Sequence, residues 1–107
     1  MRYQVFLAHD AQQDIEDLYR YLAARDGEPT ASRILEDIEA ACANLSEFPE
    51  RGNIPKELAA LGIADYRELH HKPWRMIYRI FEGRLIVYCV VDGRRDMQNF
   101  LERRLMR

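Results

Sequence analysis

Residues 66–107 read YRELHHKPWRMIYRIFEGRLIVYCVVDGRRDMQNFLERRLMR. Two runs of alternating character flank Glu82-Gly83, a two-residue connection in which glycine tolerates the positive φ of a tight hairpin. The spacing predicts strands over residues 74–81 and 84–92, preceded by one over 66–71. It also predicts a register: Phe81 opposite Arg84, Arg79 opposite Ile86, Ile77 opposite Tyr88, and Arg75 opposite Val90. Side chains alternate across a strand. One face then carries Trp74, Met76, Tyr78 and Ile80 beside Leu85, Val87, Cys89 and Val91, and is expected to receive helices. The other carries Arg75, Ile77, Arg79 and Phe81 beside Ile86, Tyr88, Val90 and Asp92. Its mixture of cations and aromatics makes it the expected working surface, with Arg75 and Arg79 pointing away from the helices.

The hairpin is followed by a predicted helix over 95–106, with Met97, Phe100, Leu101 and Leu105 apolar and Arg103, Arg104 and Arg107 at a cationic end. Asp96 is placed to cap it. Toward the N-terminus, residues 2–8 (RYQVFLA) read as a strand with Tyr3, Val5 and Leu7 on one face. Asp10, with Gln13 three residues on, predicts a capped helix over 11–25 bearing Ile15, Leu18, Tyr19 and Leu22 on one stripe. Pro29 suits the first turn of a second helix. Its stripe is Ile34, Leu35, Ile38, Ala41, Cys42, Leu45 and Phe48. Asp14, Asp17, Glu36 and Glu39 read as a solvated acidic face. Residues 49–65 are broken by Pro49, Gly52, Pro55 and Gly62 and predict a surface loop with one short helical turn at Lys56–Leu61. The order is β-α-α-β-β-β-α, an α+β class: a small curved antiparallel sheet packed on an N-terminal helical pair.

At 107 residues the chain is expected to form a single domain, residues 1–107. Apolar content of 48% suffices for one core. No run approaches the roughly 18 apolar residues of a membrane span, and the apolar N-terminal run is cut short by His9 and Asp10, so a cytoplasmic location without membrane contact is expected. Charge is unevenly placed. Residues 66–107 hold ten Lys/Arg against five Asp/Glu, a balance of +5; residues 1–65 hold six against thirteen, a balance of −7; together these give the net −2. A basic working end is implied. Cys42 and Cys89 sit inside apolar patterns and read as small buried hydrophobes.

Arg75 and Arg79 on one face suit an anionic partner, the alternative being a solvated face with cross-strand ion pairs. The side taken by Arg67 depends on the turn at 71–74: if that turn is tight, Arg67 points to the helix side, where an ion pair with an acidic helix residue is expected. His70 and His71 alternate across their strand, so both cannot readily serve one ion, and no metal is expected.

These pieces together resemble the RelE/ParE superfamily of toxins from type II toxin–antitoxin systems. The segments that carry the resemblance are Tyr66-Arg67-Glu68-Leu69, Trp74-Arg75 with Ile77-Tyr78-Arg79, and Val90-Val91-Asp92-Gly93-Arg94-Arg95-Asp96. It implies a cognate antitoxin that wraps the chain into a hetero-oligomer, and a role in growth inhibition and plasmid stabilisation with no cofactor. Two activities occur among such proteins. RelE-like members cut messenger RNA on the ribosome; ParE-like members inhibit DNA gyrase and so block replication. For the ribonuclease, Arg75 and Arg95 would take catalytic places, with His70 and His71 as acid–base candidates. Lysines of that site fall here near Tyr66 and Glu68, a basic or aromatic group falls at Leu101, and a histidine falls at Arg94. Asp92 adds a carboxylate that would repel phosphate. The ParE-like reading needs no general base, and it is the expectation. Its target- or antitoxin-binding residues are Arg67, Arg75, Arg79, Tyr88, Arg94 and Arg95.

Overall fold

The computed structural model describes residues 2–106. Strand β1 (Gln4–Leu7) leads into helices α1 (His9–Asp26) and α2 (Glu28–Asn44), a short helix α3 (Lys56–Ala59), strands β2 (Tyr66–His71), β3 (Trp74–Phe81) and β4 (Arg84–Asp92), and helix α4 (Met97–Leu105). The sheet order is β1-β4-β3-β2. The order of elements and the α+β class are as expected. One pairing refines the antiparallel expectation: β1 lies parallel to β4, so the sheet is mixed. Arg107, expected at the cationic end of α4, lies outside the described residues.

The hairpin closes at Glu82-Gly83, whose φ values of 50° and 75° are both positive, the signature of a type I′ turn. Phe81 pairs with Arg84 and Arg79 with Ile86, as predicted. The register then shifts at Ile77/Tyr78: Tyr78 pairs with Val87, Ile77 with Cys89, and Arg75 with Val91. Tyr88 is the extra residue of a β-bulge, which re-aims the side chains after it. This corrects the predicted pairs Ile77–Tyr88 and Arg75–Val90. Val90 turns to the α1–α2 side, while Cys89 and Val91 turn away from it.

Both sheet faces are therefore covered over part of their area. On one, Leu22, Leu35, Ile38 and Leu45 of the helical pair and its C-terminal end pack on Trp74, Met76, Tyr78, Leu85 and Val87. On the other, Leu58 of α3 and Met97, Phe100 and Leu101 of α4 close over Ile77, Cys89 and Val91. The expectation of a bare second face fails because the short turn at 56–59 and the terminal helix both carry apolar residues that need cover. Cys42 and Cys89 are free and buried, their thiols pushed up to about 11 and about 12 by loss of solvation.

Three further local readings are corrected. Helix α1 starts at His9 with Ala8 as N-cap and no capping side chain, so Asp10 lies in its first turn instead of capping it. Helix α2 ends at Asn44, leaving Phe48 more than half exposed. Asp14 is not on a solvated face. Its carboxylate holds the Arg104 guanidinium at 3.0 and 2.9 Å and accepts the Val90 amide at 3.0 Å. Arg104 also donates to the Tyr88 carbonyl at 3.1 Å. Strand β1 ends at Leu7, opposite Val87, so β4 beyond that point has no strand on that side. The Asp14–Arg104 pair takes up the backbone groups exposed there. The Asp96 cap forms as predicted, accepting the Asn99 amide at 3.2 Å.

Candidate functional site

Two places gather the residues singled out in the sequence. The first is a cleft of about 550 Å³ beside β2, lined among others by Asn53, Lys56, Glu68, His70, Lys72 and Arg75. Arg75 forms its floor and is only 8% exposed. Its guanidinium forks onto Glu57 of α3 at 2.9 and 2.8 Å, and its Nε–H reaches Glu68 of β2 at 2.6 Å. Asn53 donates to the other Glu68 oxygen at 3.0 Å. The expectation that Arg75 projects freely from the sheet is thus corrected. Two carboxylates, both buried, surround one guanidinium in bidentate geometry, the strongest kind of ion pair. Arg75 is held more firmly protonated by Glu57 and then Glu68, and the Glu57 carboxyl is held below the usual range by the hydrogen bonds from Arg75.

The stem of Arg75 fixes its neighbour. A Cβ at Gly93 would lie 2.5 Å from Arg75 Cδ and 2.8 Å from Cγ. Gly93 also donates its amide to the Pro73 carbonyl at 2.8 Å. Glycine is required here because the locked arginine occupies the space of a side chain.

The other predicted residues divide. Arg67 is on the α1–α2 side, as expected, but makes no acidic pair. It donates to the carbonyls of Glu50 and Gly52 at 3.2 and 2.8 Å and ties down the 49–53 loop. Arg94 is exposed and grips Asp92, with contacts of 2.6 to 3.2 Å; this holds the Asp92 carboxyl below its ordinary value. Arg95 lies over the Phe100 ring at 4.3 Å. Tyr88 is half-buried, edge-on to Tyr66 at 5.7 Å. His70 is half-exposed, 3.6 Å from Glu68, and His71 faces the opposite way, 3.9 Å from Asp37 of α2. Among the described residues no group of three or more His, Cys, Asp and Glu is placed to hold a metal ion.

The second place is the part of the sheet that α3 and α4 leave open. Across the strands, Phe6, Ile86, Arg79 and Tyr66 form one row of neighbours, and Gln4, Arg84 and Phe81 the next. Phe6 and Phe81 are 44% and 47% exposed, large values for aromatic side chains on a sheet. Arg79 stacks over Phe81 at 5.3 Å and has no ion-pair partner among the described residues. Here the predicted mixture of cation and aromatic side chains does reach solvent. Phe6 was missed because the N-terminal strand was read for its buried face, and its seat beside β4 follows from a parallel pairing that no local signal announces. Glu57 and Glu68, the partners of Arg75, were missed for a similar reason, since neither has a sequence neighbour that marks it as buried.

No described helix is long and apolar enough to cross a membrane. Among solved structures the chain is similar to the chromosomal ParDE toxin–antitoxin system of P. aeruginosa, with a TM-score of 0.72 at 14% identity over 85% of this chain and 96% of the other. It is also similar to the RelBE2 toxin–antitoxin complex of Mycobacterium tuberculosis, with a TM-score of 0.63 at 22% identity over 86% and 92%. The third is a mutant of the E. coli toxin RelE in the free state, with 0.65 at 14% over 94% and 93%. These likenesses establish the fold. In sequence, the chain is 27% identical to Toxin ParE3 of Caulobacter vibrioides over 84 residues, 78% of this chain and 80% of that protein. Residues 5–97 match the family described as ParE toxin of type II toxin–antitoxin system, parDE. The chain therefore belongs to the ParE toxin family of type II toxin–antitoxin systems.

Proposed function

We propose that this toxin arrests growth by binding DNA gyrase as a protein ligand, without bond-breaking chemistry of its own, and that a cognate antitoxin neutralises it in a hetero-oligomer. The observation that carries this reading is the state of Arg75. A ribonuclease at this place needs a cation free to stabilise a phosphorane. Here both faces of the guanidinium fork are committed to Glu57 and Glu68. Arg94 is likewise committed to Asp92. On the open part of the sheet, Arg79 has no ion-pair partner among the described residues and stacks on Phe81, an aromatic platform suited to a protein partner, since arginine and aromatic side chains supply most interface anchor points. We assign the docking surface to Arg79, Phe81, Phe6 and Arg84.

The ribonuclease alternative rests on the cleft, where His70 stands near Lys56 and Lys72 and could move a proton. One pair of assays separates the two. Purified chain is added to a gyrase supercoiling reaction and, in parallel, to ribosomes programmed with mRNA. Loss of supercoiling with intact mRNA is expected. Cleaved mRNA with unaffected supercoiling would overturn the gyrase reading, and His70→Ala would then abolish the cuts.

A further inference from the structure

Outside the cleft and the open sheet, one more place gathers charge. A pocket of about 240 Å³ on α4 is lined by Arg95, Phe100, Arg103 and Arg104. Arg103 and Arg104 follow Phe100 by three and four residues, a spacing that sets side chains on one side of a helix. The segment between β4 and α4 brings Arg95 over the same ring. Two guanidiniums lie against that ring, Arg95 at 4.3 Å and Arg104 at 4.8 Å from its centre. A cation held on an aromatic face is fixed in place as well as stabilised.

The three charges are not equally answered. Arg104 is paired with Asp14. Arg95 and Arg103 are exposed, and neither has an ion-pair partner among the described residues. Neighbouring carboxylates are engaged elsewhere: Asp92 by Arg94, Asp96 by the Asn99 amide, and Glu102 by Gln98. Like charges around one small pocket repel, and an anion between them relieves that repulsion. The fork of an arginine matches a phosphate or a carboxylate with two parallel bonds. Two features favour the phosphate of a duplex backbone. Phe100 is only 8% exposed and lies against guanidiniums. It therefore offers neither the apolar anchor found at the centre of protein interfaces nor an open face on which an unpaired base could stack. In addition, α4 packs over Ile77, on the sheet face that carries Arg79 and Arg84. Cations are thus spread along one side of the molecule, as contact with a line of phosphates requires.

We propose that Arg95 and Arg103 grip a backbone phosphate of duplex DNA, the DNA that gyrase holds while Arg79 and its neighbours dock on the enzyme. The assignment rests on the gyrase reading and deepens it by naming a second component of the target. Contact is with the backbone alone, so it is independent of base sequence. The chain's net charge of −2 supplies little long-range attraction to DNA. The contact therefore adds to gyrase binding and does not replace it.

The test compares the affinity of the full chain for gyrase with and without a bound linear duplex. DNA is expected to tighten binding at least about tenfold, a gain that shrinks as salt rises. In the Arg95→Gln, Arg103→Gln double variant the gain is expected to vanish, and each single variant should lower the salt slope by about one unit. An equal gain in parent and double variant, or no gain in the parent, would overturn the phosphate site while leaving gyrase binding standing. A chain that does not bind gyrase removes the functional reading, and a second measurement then decides the site by itself. Arginine Nε–H signals of the free chain are followed by NMR as a short DNA duplex is added at low salt. Shifts at Arg95 and Arg103 are expected, and they would support the site even without gyrase. Unmoved signals, equal shifts with a polyglutamate peptide, or shifts with an RNA duplex alone would refute it.

Discussion

Asp14 and Arg104 are 90 residues apart in sequence and meet in a two-pronged pair of 3.0 and 2.9 Å. Their side chains are 12% and 17% exposed, so the pair is largely screened from water and clamps the last helix to the first. Asp14→Ala would strand the guanidinium and free the Val90 amide together. A loss of about 2–4 kcal/mol is expected, toward the range for breaking a buried pair. Asp14→Asn, which keeps an acceptor for Val90, should lose less. Urea unfolding of both variants checks the order; equal losses would mean that the amide contact contributes nothing.

Arg75 and Arg79 share a strand face but not an environment. Arg75→Ala would leave Glu57 and Glu68 buried without a counter-charge, at a cost of about 3–5 kcal/mol. Arg79→Ala touches a partly buried side chain with no ion-pair partner among the described residues and should change stability by about 0.5 kcal/mol or less. Under the proposed function the second variant, still folded, loses growth arrest and gyrase inhibition. Thermal melts and a growth assay on the same two proteins distinguish the roles. A well-folded, fully toxic Arg79→Ala chain would remove that residue from the docking surface.

Gly93→Ala is expected to destabilise by about 1–3 kcal/mol through overpacking, because the added methyl meets the Arg75 stem at 2.5 Å. That stem cannot swing aside while its guanidinium is held by two glutamates. In a Gly93→Ala, Arg75→Ala double variant the glycine penalty should shrink, since the obstructing atoms are gone. A double-mutant cycle measures this, and strictly additive losses would contradict the packing argument.

The Arg75 pairing also sets an acid dependence. Glu57 is held below its ordinary value of 4.5 by the hydrogen bonds from Arg75. A carboxyl whose folded value is depressed contributes its full stabilisation above the unfolded value and loses it as pH falls through the folded one. Unfolding free energy should therefore decline below about pH 4.5. The decline should be shallower in Glu57→Gln, which starts less stable at neutral pH. Parallel acid slopes for the two proteins would assign the decline to other carboxylates.

Much of the fold was legible locally. Strand limits at 66–71, 74–81 and 84–92 coincide with β2, β3 and β4, because alternation and the Glu82-Gly83 turn are properties of neighbouring residues. The helical pair followed from stripes spaced at three and four residues. The candidate site was less legible. Arg79 was placed correctly, since it lies between the turn and the bulge, where the register holds. Arg75 was placed on the correct face but in the wrong medium, because its burial depends on Glu57, 18 residues away on a helix of four residues.

Composition and periodicity by themselves determined the element order, the α+β class, the hairpin and, as far as the bulge at Tyr88, the apolar face that meets α1 and α2. These depend on interactions within a few residues of chain. Only tertiary structure decided which cations face solvent. The bulge at Tyr88 is seated where Asp14 and Arg104, from opposite ends of the chain, take up the backbone groups beside it. The same long-range closure lays α3 and α4 over Arg75 and leaves Arg79 open. A charge in the sequence is only a charge; whether it is buried with carboxylates or offered to a partner depends on neighbours that the fold alone brings together.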